Sequence, residues 1–168
     1  MVTSLGRWLR HLAAGPWTRQ RTFPAPVLAA IENAVQACES RHPGEIRFAI
    51  DVALPAAALW RGVTPREAAI EAFSRLRVWD TAHNNGVLIY VLLADRDVEI
   101  VADRGVARGK VPQEEWEGCC RVMEAHFARG AFRDGAVAGI EAVADVLRRH
   151  PPDGPDAGNE LPNAPAVL

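Results

Sequence analysis

Residues 86–94, "GVLIYVLLA", form a run of nine without a charge. A bilayer span takes about 20 apolar residues, so this run is far too short to be one. Its β-branched and aromatic content reads as a strand, and a strand apolar on both faces belongs in the middle of a sheet. Polar residues crowd its ends: Asp80, Thr81, His83, Asn84 and Asn85 before it, Asp95, Arg96 and Asp97 after it.

Periodicity around the run predicts its neighbours. Leu28, Ile31, Val35 and Cys38 mark a helix over 26–41. Ile46, Phe48, Ile50 and Val52 alternate with Glu45, Arg47, Ala49 and Asp51, a strand with one buried face. Thr64, Pro65 and Glu67 open a helix over 65–77, with Ala69, Ile70, Phe73 and Leu76 expected inward. A turn near Asp95-Arg96 leads into an antiparallel strand at 98–102, and helices follow at about 112–128 and 134–149. The helical crossover makes the first two strands parallel. The fold class is α/β, with a mixed sheet in the order 1-2-3 and the apolar run in the middle.

This places residues 25–150 in one domain, after a basic amphipathic arm at 1–24 and before a proline-rich tail at 151–168 that is expected to be disordered. In the arm, Leu5, Trp8, Leu9 and Leu12 share a helical face, while Arg7, Arg10 and His11 lie largely on the other. Such a helix either packs on the domain or lies on a membrane surface. A net charge of −2 argues against a nucleic-acid partner. Cys38, Cys119 and Cys120 have no disulfide or zinc spacing and suit a reducing compartment. The basic N-terminus lacks a continuous apolar signal segment, so the expected location is cytoplasmic, peripheral on the inner membrane if the arm binds lipid.

The parallel pair and hairpin bring distant residues to one rim: Glu45, Asp80, Thr81, Asn84, Asn85, Asp103 and Arg104. Carboxylate and amide oxygens suit Ca²⁺ or Mg²⁺, with Asp80, Asn84, Asn85, Asp103 and Glu45 as ligands. Arg104 suits a carboxylate or phosphate. Turn chemistry and a surface ion pair explain the same residues without a ligand. The opposite rim gathers Asp51, Asp95, Arg96 and Asp97. It lies at the carboxyl ends of the parallel strands, where ligands commonly bind, but a tight hairpin there leaves less room.

The segment "NGVLIYV" (85–91), Arg96, the glycine closing the next strand (Gly105) and "FARGAFRDGAVAGI" (127–140) resemble the TPM domain family over roughly residues 26–149. The resemblance implies a three-layer α/β/α sandwich. It also implies divalent-cation binding or weak acid phosphatase activity in some members, and accessory roles at membrane complexes in others. Where the family pattern has Asp-Asn-Gly, this chain has Asn84-Asn85-Gly86, one carboxylate fewer; Asp103 before Arg104-Gly105 restores one. Two readings follow. One is a binding or accessory module with a protein partner, such as a membrane complex, and a divalent-cation site. The other is a metal-assisted phosphatase in which Asp80 and Asp103 hold the ion and Arg104 meets the phosphoryl oxygens. Cysteine, aspartate-pair and phosphohistidine phosphatase motifs are all absent from the sequence.

Overall fold

The computed structural model describes residues 4–107, 110–155 and 157–168. The elements are α1 (Leu5–Ala13), α2 (Pro16–Thr22), α3 (Ala25–Glu39), β1 (Glu45–Asp51), α4 (Ala56–Trp60), α5 (Pro65–Arg75), β2 (Gly86–Leu92), β3 (Asp97–Ala102), α6 (Arg104–Ala107), α7 (Gln113–Phe127), α8 (Phe132–Arg149) and β4 (Ala166–Val167). They build a mixed sheet between helical layers, the expected sandwich.

β2 is buried along its whole length, and its two faces feed two cores. Val87, Ile89 and Val91 join Ile46, Phe48 and Ile50 beneath α3, α7 and α8. Leu88, Tyr90 and Leu92 join Ala49 beneath α4 and α5. The period-2 alternation of side chains assigns each residue to its layer. β1 pairs parallel with β2, Glu45 opposite Gly86, and β3 returns antiparallel, Asp97 opposite Leu92.

The order is β3-β2-β1-β4, one strand more than the sequence predicts. Ala166 and Val167 pair parallel with Ala49 and Ile50, and the Leu168 N–H donates to the Ile50 carbonyl at 2.9 Å. The tail is therefore not a disordered appendage at these residues. Arg47 donates to the carbonyls of Pro162 and Ala164, Leu161 is buried, and the proline-rich stretch is strapped across the sheet by side chains rather than by its own periodicity.

In α5 the capping box forms as predicted: the Thr64 N–H donates to Glu67 Oε2 at 2.8 Å, and the Glu67 N–H donates to Thr64 Oγ1 at 3.2 Å. Of the expected inward residues, Ala69 is buried and Phe73 and Leu76 pack against the core, while Ile70 departs. Ala68, Ala69 and Ala72 are buried and Ile70 is exposed, because small side chains let α5 pack close to the sheet.

Candidate functional site

At the amino-terminal rim the chain folds back on itself at every polar residue. Asn84 adopts φ 53°, and its carbonyl accepts the Gly105 N–H at 2.9 Å. Its side-chain oxygen accepts Arg104 Nε at 3.1 Å, so the guanidinium is engaged with an amide rather than presented to an anion. Asp103 Oδ1 accepts the Arg104 N–H at 2.7 Å. The Asn85 N–H donates to Thr81 Oγ1 at 3.1 Å, and its side-chain amide donates to the Pro43 carbonyl. Glu45 is buried and accepts the N–H groups of Glu160 and Leu161 at 3.1 and 3.0 Å, while Glu160 in turn accepts the Ala82 N–H at 2.9 Å. Asp80 forms an exposed pair with Arg77 at 2.7 Å.

The rim thus joins Asn84, Asn85, Asp103 and Arg104, with Glu45 tied to the tail and Asp80 tied to Arg77. Two of its buried oxygens, Asn85 Oδ1 and Asp103 Oδ2, have no hydrogen-bond partner among the described residues. Ca²⁺ takes six to eight oxygens, and a guanidinium here repels a cation. No group of three or more His, Cys, Asp or Glu side chains able to hold a metal gathers among the described residues. This donor set does not fit Ca²⁺ or Mg²⁺.

Two cavities lie at the carboxyl-end rim. One of about 690 Å³ is lined by Thr18 and Thr22 of α2, Arg96 and Asp97 at the hairpin, and Phe127 and Phe132 from α7 and α8. A second, of about 310 Å³, lies between α2, Asp51 and the C-terminal Leu168. The hairpin does leave room, because α2 stands off it and forms a wall. Arg96 sits at the tip with φ 56°. Tyr90 Oη donates to Asp51 Oδ2 at 2.8 Å, and burial pushes the acid constants of both groups up.

Asp95 is the hub that holds α1. Arg7 Nε and Nη2 reach Asp95 Oδ2 at 2.9 and 2.7 Å, and His11 Nε2 lies 3.1 Å from Oδ1. His11 Nδ1 accepts the Leu54 N–H at 3.0 Å, which leaves Nε2 to carry the proton facing Asp95. Arg10 donates to the Ala94 carbonyl at 3.1 Å. Burial works to raise the Asp95 carboxyl, but the bonds from Arg7 and His11 outweigh it and hold the group below the usual carboxylate range.

The consequence is an inverted helix. Arg7 and His11 of α1 point into the domain, Arg10 stays about half exposed, and the leucines point out: Leu5 is 76% exposed, Leu9 58% and Leu12 69%. Trp8 lies edge-on to Trp60 with ring centroids 6.5 Å apart, and Trp60 is 85% exposed.

Asp97 is the most strained carboxyl of this rim. Burial, then Glu99, Glu124 and Asp95, push it up to about 6. A folded-state constant above the unfolded one means the native state holds its proton more tightly, so the group costs stability above about pH 6, and the cost fades as pH falls toward 4. Asp97→Asn is expected to raise Tm by about 3 °C at pH 7.5, roughly 1 kcal/mol after solvent screening at this half-buried position. At pH 4 the two proteins should melt together. Scanning calorimetry at both pH values checks this.

Residues 19–146 match the model of the TPM domain. The chain belongs to the TPM domain family. Its fold is shared with BA42 of the psychrophilic bacterium Bizionia argentinensis, solved by NMR, with a TM-score of 0.73. That protein is 28% identical, and the match covers 86% of this chain and 94% of BA42. The N-terminal domain of a P. gingivalis protein is 21% identical with a TM-score of 0.55, covering 73% of this chain and 76% of that one, and speaks to the fold alone. Among curated proteins none matches. The matched span of this TPM domain leaves out α1 and β4. The inverted face of α1 escapes a reading of the sequence because amphipathicity does not say which face docks. The sequence does show that the first 24 residues carry four arginines and no acid.

Proposed function

We propose that this TPM domain is an accessory binding module that attaches peripherally to an anionic membrane surface through α1. The observation that carries the reading is the outward ridge of Leu5, Leu9 and Leu12 on a helix that Arg7 and His11 anchor inward through Asp95. Large apolar side chains exposed together along one helix mark an interaction surface. Burying each leucine is worth roughly 1.5–3 kcal/mol. Trp60, beside Trp8, and Trp17, 62% exposed on α2, suit the headgroup level. Exposed Arg10, Arg21 and Arg61 supply attraction to anionic lipid, about 1 kcal/mol per cation near the surface. Among the described residues no helix is long and apolar enough to cross a membrane, so attachment would be interfacial.

Flotation with vesicles of phosphatidylcholine and phosphatidylserine tests this. The protein is expected to float with mixed vesicles and hardly at all with phosphatidylcholine alone. The triple variant Leu5→Ser, Leu9→Ser, Leu12→Ser should cut the floated fraction at least tenfold while the melting curve stays in place. Equal flotation of the two proteins would end the proposal.

A further inference from the structure

β3 is the edge of the sheet, and its outer row of backbone groups is not paired with another strand. In an antiparallel strand the N–H and C=O of one residue point the same way and alternate along the chain. The Val98 N–H meets Glu124 Oε1 at 3.4 Å and the Ile100 carbonyl meets Arg66 Nη1 at 2.5 Å, so Val98, Ile100 and Ala102 are the outward residues. Their partners among the described residues are these two side chains, from α7 and α5, standing where a further strand would run. Beside them lies a cavity of about 480 Å³, lined by Arg66, Glu99, Trp116 and Glu124 among others. It adjoins the 690 Å³ cavity of Phe127 and Phe132, because Asp97 and Glu124 line both.

The charge in this groove selects its occupant. Arg66 is matched by Glu99 at 3.3 Å and Arg121 by Glu117 at 3.8 Å. Asp97 and Glu124 form no ion pair among the described residues and stand at the junction of the two cavities, while Arg96, exposed at the hairpin tip, is a cation that lines the larger cavity alone. We propose that the β3 edge is a docking site for an extended basic peptide segment of a partner protein. It would add a strand along Val98–Ala102, set a lysine or arginine against Asp97 and Glu124, and lay a large apolar side chain toward Phe127 and Phe132. Strand addition takes its affinity from main-chain hydrogen bonds and its selectivity from pockets for alternate side chains, and both are present here. Arg66 and Glu124 guard the edge when it is empty, as charged side chains commonly do. The site is separate from the α1 ridge and does not depend on membrane attachment.

The test is an NMR titration of the ¹⁵N-labelled full chain with the capped peptide Phe-Lys-Val-Lys-Val-Lys and its twin carrying glutamate for lysine. The basic peptide is expected to move the Val98, Ile100 and Ala102 amides saturably and to leave those of α1 still. The twin should bind at least tenfold more weakly. Glu124→Lys should reverse that preference. Should that variant fail to fold, Asp97→Asn, which removes one charge and relieves a strained carboxyl, is expected to weaken the basic peptide about threefold. No saturable shift, shifts away from β3, equal binding of the two peptides, or unchanged affinity in the folded variant would each overturn the proposal.

Discussion

Gly86→Ala is expected to destabilise the domain by about 3 kcal/mol, a fall in Tm of about 9 °C for a chain of this size. A methyl group at Gly86 would sit 2.1 Å from the Val78 carbonyl oxygen and 2.9 Å from Val78 Cγ1. Neither side can retreat. Gly86 opens the central strand, pairs with Glu45 on one side, and accepts the Asp103 N–H at 2.9 Å on the other. Val78 is itself fully buried, and its N–H is fixed to the Phe73 carbonyl at 3.0 Å. Protein interiors are close-packed, so the clash is relieved only by moving a strand or a helix end. Gly118→Ala supplies the contrast. There the nearest atom is Arg121 Nη2 at 3.8 Å, the position is inside α7, and a gain of about 0.5–1 kcal/mol is expected from helix propensity alone. Urea unfolding of the three proteins checks both signs. A cost below about 1 kcal/mol for Gly86→Ala would mean that Val78 does not pin the start of β2.

Gly86 also shows how far local sequence reaches. The apolar run, the alternation of Ile46, Phe48 and Ile50, and the capping box at Thr64 announce their elements because each signal is contained in a few consecutive residues. From those elements, the parallel crossover and the hairpin bring Asn84 and Gly105 together, and the structure joins them by a hydrogen bond of 2.9 Å. The same reasoning places Asp103 and Arg104 beside Asn84. It does not reveal that Arg104 donates to both Asp103 and Asn84, that Asn85 donates to the Pro43 carbonyl, or that Glu45 serves the backbone of Glu160 and Leu161. That requires the tail. β4 is two residues long after a proline, and its place beside β1 depends on Arg47, more than 110 residues away in the chain. No local pattern carries such a contact.

The cavities were hidden for a related reason. A hairpin seen alone suggests a crowded rim, whereas α2 and the phenylalanines of α7 and α8 hold space open around it. Ile70 makes the point on a smaller scale: a hydrophobic period names a face, and the buried alanines on the other side of α5 decide how closely it packs. The strained Asp97 is of the same kind, since its neighbours Glu99 and Glu124 come from its own strand and from a helix 27 residues on.

Asp95→Ala is expected to release α1 while the sheet stays folded. The carboxylate is only 8% exposed and meets Arg7, also largely buried, and the buried His11 ring. Removing one partner of such a network strands the Arg7 guanidinium and the His11 N–H, at a cost of about 3 kcal/mol. The contacts at risk belong to α1 and the hairpin; the two cores beneath the sheet do not include Asp95. Local opening therefore becomes easier than global unfolding. Amide exchange at residues 5–13 should accelerate about 100-fold, close to 2.7 kcal/mol at 1.36 kcal/mol per decade. Exchange in β2 should hold its rate. Acid gives the same release in the unmodified protein. The Asp95 constant is depressed in the folded state, so its contribution is full above the ordinary aspartate range near pH 4 and is lost as pH falls through the lower folded value. α1 should then stay docked at pH 5 and loosen only in stronger acid. Uniform acceleration across α1 and β2 in Asp95→Ala would show instead that the helix and the sheet unfold as one unit. The leucine ridge would then be a fixed surface of the domain rather than one held out by a single carboxylate.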